Sequence, residues 1–206
     1  MHCRCQSCIY ESLPYQVREI KKNQILFLEG DEIDHVYQIE SGFVKVVKYQ
    51  DSGHEKVFDI FGPGDFLALL LVLQSQKKYQ VSVIALNTCR LKVIRKEEIQ
   101  KAYQSHPVFQ KMCLQCASSR ATIFQHQLFQ TSFQDVDEKI MGILIYLYHK
   151  FGVYKDGRHR LYLPINQSEL ASIIGIRRET LSRRLSDLQD QGRLTFGKYR
   201  YEFHKI

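Results

Sequence analysis

Six cysteines and a run of arginines are the side chains of this 206-residue chain best suited to chemistry. Cys3, Cys5 and Cys8 crowd the N-terminus, Cys113 and Cys116 form a second pair, and Cys89 stands alone. Thiolates hold zinc or iron–sulfur clusters, and paired thiols exchange with disulfides, so these residues are candidates for metal ligation or for a redox switch. Three closely spaced thiolates suit zinc if His2 or Cys113 supplies a fourth ligand. The second group is Arg177, Arg178, Glu179, Ser182, Arg183 and Arg184. Arginine reads guanine bidentately in the major groove, glutamate accepts from cytosine and further cations hold phosphates, which makes double-stranded DNA the candidate partner. The sequence has no Ser-His-Asp order, Gly-rich phosphate loop or His-Glu-x-x-His, so an enzyme is not expected. The single histidines His35, His54 and His126 read as surface or core groups rather than haem ligands.

Charge supports the DNA reading. The chain carries 29 Lys and Arg against 22 Asp and Glu, a formal net charge of +7. Residues 158–206 alone carry ten of the cations and five of the anions, so the excess sits in the last quarter and points to a polyanion. The longest apolar run, Phe66 to Leu73, is far below the roughly 18 residues a membrane span needs, and the N-terminus has no apolar signal region. A cytoplasmic protein with no membrane partner is expected, in a compartment where thiols are reduced, metal-bound or redox-active rather than structural disulfides.

These groups need elements to position them. From about Ile20 to Arg95 short β-branched and aromatic runs alternate with turn signals. The runs are 25–28, 36–39, 43–47, 56–61, 81–85 and 90–94, and no helix-length segment separates them, which predicts an antiparallel sandwich or roll. Pro107 opens a long helix in which Val108, Met112, Cys116, Ser119 and Ile123 recur at spacings of four and three. That seam packs either on the β domain or on a second copy of itself. Asp135 starts another helix, with Ile140, Ile143, Leu144, Leu147 and Phe151 on one face. Asn166 and Glu169 then form a capping-box pair before a helix that stops at Gly175, and a second helix runs from about Arg178 to Asp190 with Leu181, Leu185 and Leu188 inward. Residues 194–203 read as a hairpin. Helix, tight glycine turn, helix and hairpin is the order of a winged helix-turn-helix.

Taken together, Gly30-Asp31, Tyr37-x-Ile39-x-Ser41-Gly42, Gly62-Pro63-Gly64-Asp65-Phe66 and Arg178-Glu179-Thr180-Leu181-Ser182-Arg183 resemble the signature positions of the CRP/FNR family of bacterial transcription regulators. The resemblance runs from about Ile20 to Lys205. It implies an α+β chain: a β-roll sensor domain of the cyclic-nucleotide-binding jelly-roll type with a Cys-rich N-terminus over 1–104, a dimerisation helix over 105–133 and a winged helix-turn-helix over 134–206. It further implies a homodimer on a palindromic operator, with RNA polymerase as a candidate partner. Residues matching Arg178, Glu179 and Arg183 contact bases in one branch of the family, and those matching Glu179, Ser182 and Arg183 do so in the other. A half-site containing TGA follows, with Arg177, Arg184, Ser168 and Lys198 completing the candidate contacts.

The resemblance also bears on the signal. Cyclic-nucleotide binders of the family hold the ribose with a Glu and the cyclic phosphate with an Arg-Ser pair, and the matching positions here are Leu69, Tyr79 and Gln80. Without a cationic cradle a buried phosphodiester is strongly disfavoured, so cyclic AMP is not expected and the apolar run 67–73 is read as core packing. FNR-type sensors bind an iron–sulfur cluster through N-terminal cysteines and one from the β-roll, where Cys89 lies near the internal ligand position. The closer likeness is to FNR-like proteins of Gram-positive bacteria, which implies a dithiol–disulfide switch between Cys5 or Cys8 and Cys113 or Cys116. A cluster, a zinc site and effector-independent DNA binding are the alternatives.

Overall fold

The computed structural model describes residues 13–49, 53, 55–132 and 135–204. Contacts divide the chain into two compact units, with the break inside one helix between Arg120 and Ala121. The first half of the helix expected to stand by itself over 105–133 therefore belongs to the β-rich unit.

Among the described residues, that unit holds eight strands in two four-stranded antiparallel sheets. One sheet has the order β1 (Gln16–Ile20), β8 (Cys89–Arg95), β3 (His35–Ser41) and β6 (Phe66–Leu67). The other runs β2 (Ile25–Phe27), β7 (Ser82–Ala85), β4 (Val44–Tyr49) and β5 (Glu55–Phe61). Ile20, Val36, Ile39, Val44, Leu91 and Ile94 fill the space between them, since alternating side chains put one set inward on each strand. The turn into β4 is tight: Gly42 has φ +88, and a Cβ there would lie 2.4 Å from the Thr88 carbonyl and 2.7 Å from Cys89 Sγ. Only glycine fits that approach.

The β-roll is read correctly from sequence except where segments are short. A single turn of helix, α1 (Leu69–Leu73), follows β6, and α2 (Lys96–Ser105) follows β8. Neither is expected from the strand-like pattern, and β1 and β6 are also added. The long helix α3 (Pro107–Ser132) begins where Pro107 places it. Its seam differs from the expected one. Phe109, Met112, Cys113 and Cys116 are buried, and the first three belong to the β-roll core, whereas Val108 is 60% exposed. Ile123 has its side chain outside the described residues. The periodicity is that of a helix packed on its own domain, and burial of Phe109 alone is worth roughly 2–3 kcal/mol. On a separate face of α3, Leu114, Ala117, Ala121, Phe124 and Leu128 recur at spacings of three and four, with Leu114, Phe124 and Leu128 exposed.

In the second unit α4 (Val136–Phe151) is capped by Asp135, whose carboxylate accepts from the Asp137 amide at 2.7 Å. The capping box of α5 (Gln167–Ile174) is complete: the Glu169 amide donates to the Asn166 side chain at 2.9 Å, and the Asn166 amide donates to Glu169 at 2.8 Å. Gly175 ends α5 in the left-handed conformation, φ +83, and α6 (Arg178–Asp190) follows. Leu144, Leu147, Leu170, Leu181, Leu185 and Leu188 are buried in this unit. The hairpin of β11 (Leu194–Gly197) and β12 (Arg200–Phe203) is half of a larger element. It pairs with β10 (Arg158–Tyr162) and β9 (Val153–Lys155) in a four-stranded sheet of order β11-β12-β10-β9. Among the described residues, no helix is long and apolar enough to cross a membrane.

Candidate nucleic-acid interface and effector site

Helical geometry sorts the charged residues of α6. Arg178 and Ser182 lie one turn apart, as do Glu179 and Arg183; all four are exposed, with Glu179 and Arg183 opposite Leu181, Leu185 and Leu188 and Arg178 and Ser182 on the flank between. Among the described residues no ion pair engages Arg177, Arg178, Glu179 or Arg183. Arg177 is the N-cap residue and makes no side-chain capping bond. Two arginines at a helix N-terminus oppose the macrodipole at about 0.3–1 kcal/mol each.

Arg184 differs from these in having ion-pair partners within the protein. Its Nε lies 3.6 Å from Asp137 Oδ1 on α4, and its Nη1 lies 3.8 Å from Asp187 Oδ2. It sits three residues after Leu181 and four before Leu188, at the edge of the buried face, with 39% of its side chain exposed. Ser168 is exposed in the first turn of α5. Lys198 occupies the turn of the β11–β12 hairpin, its ammonium 5.4 Å from the Tyr199 ring centre. That turn and the start of α5 line one groove, which includes Asn166, Gln167, Gly197, Lys198 and Tyr199.

One feature of this unit escapes sequence reading. Glu202 is buried, at 4% exposure, yet its carboxylate receives Arg200 at 2.8 Å, Arg158 at 2.8 Å and Arg160 at 3.1 Å. Burial alone would raise its pKa, but the three guanidinium hydrogen bonds outweigh this and hold it at about 2.

The interior of the β-roll is filled at the positions that matter for a cyclic nucleotide. Leu69 and Tyr79 are both buried. The Tyr79 ring stacks on Phe27 with centroids 3.7 Å apart, Phe27 in turn stacks on Tyr37, and the Tyr79 hydroxyl donates to the His35 carbonyl at 3.1 Å. Burial, with the neighbouring Tyr37 adding to it, pushes the Tyr79 phenol pKa upward, so the group stays neutral. Gln80 is exposed. An apolar side chain, an aromatic stack and an outward amide offer no charge to a phosphodiester, and the residues present do not fit that ligand.

The described cysteines differ in chemistry. Cys89 is fully buried in the β-roll, and its thiol donates to the carbonyls of Phe43 at 3.2 Å and Asn87 at 3.3 Å. Burial raises its pKa in spite of those bonds. Cys113 and Cys116 are buried one turn apart on the inner face of α3. No disulfide joins these three cysteines to one another, and no group of three or more His, Cys, Asp or Glu among the described residues is arranged to hold a metal. Cys3, Cys5, Cys8, His2 and His54, and the side chain of His126, lie outside the described residues.

Comparison with known proteins agrees with both halves of this picture. Residues 17–106 match the cyclic nucleotide-binding domain, and residues 138–205 match the Crp-like helix-turn-helix domain. The chain is 24% identical over 189 residues to the global nitrogen regulator of Synechococcus elongatus, covering 91% of this chain and 85% of that protein. It is 26% identical to the transcriptional activator protein Anr of Pseudomonas protegens, over 81% of this chain and 67% of Anr. Among solved structures, FixK2 from Bradyrhizobium japonicum superposes with a TM-score of 0.83 at 18% identity, covering 94% of each chain. At that identity the likeness speaks for the fold.

Proposed function

The chain belongs to the CRP/FNR family of transcription regulators, and from that premise we propose that it acts as a homodimer on a palindromic operator with TGA-containing half-sites and takes redox state as its signal. The family is one of DNA-binding regulators, not enzymes. The observation that carries the reading is the exposed face of α6, where Arg178, Glu179, Ser182 and Arg183 stand together with no ion pair among the described residues. Arg178 and Arg183 would read guanine and Glu179 would accept from cytosine, while Arg177, Ser168 and Lys198 would hold phosphates. The site of action would be the cytoplasm, with RNA polymerase as the partner at a promoter.

The outer seam of α3 supports the dimer. Leu114, Ala117, Ala121, Phe124 and Leu128 follow a heptad pattern, with the three larger side chains exposed, and the two alanines allow close approach of a second copy. Two-fold symmetry of the protein then implies two-fold symmetry of the operator. For the signal, Cys113 lies where α3 seats on the β-roll and Cys116 is buried one turn on, so a bond from Cys5 or Cys8 to either would bear on that seat. Cys89 is buried in the β-roll, with its thiol bonded to the Phe43 and Asn87 carbonyls.

Selection of duplexes from a random pool with reduced and with oxidised protein tests the reading. Enrichment of a palindrome with TGA half-sites, and a difference in affinity between the two states accompanied by loss of two thiols, is expected. A non-palindromic motif would overturn the dimer, and equal binding in both states would leave an effector-independent regulator.

A further inference from the structure

The solvent-facing side of the C-terminal sheet carries more positive charge than its architecture needs. Arg160 lies directly across from Glu202 in the β10–β12 pairing, Tyr162 across from Arg200, and Lys155 across from Arg158 in the β9–β10 pairing. These side chains share one face, while Leu161, Tyr201 and Phe203 are buried on the other. One buried carboxylate needs one guanidinium for neutrality, yet three converge on Glu202, with Asp156 3.6 Å from Arg160 as a further anion. Each guanidinium has five N–H donors, and the bonds to Glu202 take a small part of them. Arg158 and Arg200 keep 61% and 50% of their side chains exposed. Three guanidinium groups against the two carboxylates leave an excess of positive charge, and an anion from outside would relieve the repulsion among them.

The position of the cluster indicates which anion. Arg200 is two residues beyond Lys198, whose hairpin turn lines a groove with the start of α5. The cations therefore continue from the hairpin turn across β12 and β10 to Lys155 at β9. Planar guanidinium donors match a phosphodiester oxygen pair, and Glu202 fixes their orientation in advance.

We propose that Arg158, Arg160 and Arg200, organised by Glu202, form a second phosphate-binding face that grips duplex DNA beyond the bases read by α6. The inference rests on the chain being a DNA-binding regulator and adds a surface to that reading. Its contribution is independent of sequence, because phosphates carry position and not base identity.

The test measures affinity against salt by fluorescence anisotropy, using two duplexes of random sequence, one about one helical turn longer at each end than the other. Arg158→Ala and Arg200→Ala should each lower the slope of log K against log salt by about one on the long duplex, and Arg158→Lys should restore it. Thermal melts confirm that the variants fold. Arg183→Ala, selected on its own operator, reports separately on base reading. Wild-type slopes in both alanine variants, with DNA binding intact, would overturn the proposal and leave this face to another class of partner such as an acidic polypeptide. Failure of the wild-type protein to bind any duplex would instead overturn the regulator reading itself.

Discussion

Arg184 Nε and Asp137 Oδ1 face each other at 3.6 Å, both buried and neither with a hydrogen-bond partner. The pair ties the recognition helix α6 to α4 by charge alone. Removing one partner strands the other in a poorly solvated place, at a cost of about 1–3 kcal/mol. Arg184→Ala should therefore lower the melting temperature while leaving the ratio of specific to non-specific DNA affinity unchanged. A variant of normal stability with relaxed base preference would return Arg184 to the DNA-reading set.

Glu202 predicts an acid-sensitive component of stability. Its carboxyl ionises at about 2 when folded, against 4.5 for an unperturbed glutamate. A depressed folded value means that the stabilisation is fully present above 4.5 and is lost as the pH falls from there toward 2. Glu202→Gln should melt at a lower temperature than wild type at neutral pH, and the difference should shrink across that window. Parallel melting curves at all pH values would contradict the assigned role.

The filled β-roll predicts silence toward cyclic AMP. Calorimetric titration should show no binding. Tyr79→Ala removes a ring stacked on Phe27 and should cost about 3–5 kcal/mol, in line with other buried aromatic truncations. Tyr79→Phe should cost about 1 kcal/mol, the value of its bond to the His35 carbonyl. Measurable cyclic AMP affinity in the wild-type protein would refute the account of this interior.

Burial and two carbonyl acceptors predict an inert thiol at Cys89. Alkylation of the native protein followed by mass spectrometry should label Cys89 slowly, and denaturant should raise its rate by orders of magnitude. Rapid native labelling would show that the thiol is accessible and able to serve a metal or a partner cysteine.

The helix-turn-helix is legible in the sequence because its signals are local. The Asn166–Glu169 capping box, the left-handed Gly175 and the spacing of Leu181, Leu185 and Leu188 each span a few residues, and all appear as expected. The placement of Arg184 at the edge of the buried face was readable from the same leucine spacing, although its charge argues for the surface. Periodicity gives Met112 and Cys116 an apolar face but does not say whether the β-roll or a second copy covers it. Glu202 lies beyond local reading altogether, since Arg158 and Arg160 reach it from more than forty residues away through strand pairing. The same holds for Tyr79, whose partner carbonyl at His35 is 44 residues distant.

The central claim is that the exposed face of α6 reads bases, and Arg183 tests it most directly. Each base pair of the selected half-site is substituted in turn, and affinities are measured for wild type and Arg183→Ala. A loss of about 1–3 kcal/mol on the preferred operator is predicted, together with loss of discrimination at one base pair per half-site and no change elsewhere. Undiminished preference at every position in the variant would contradict the account.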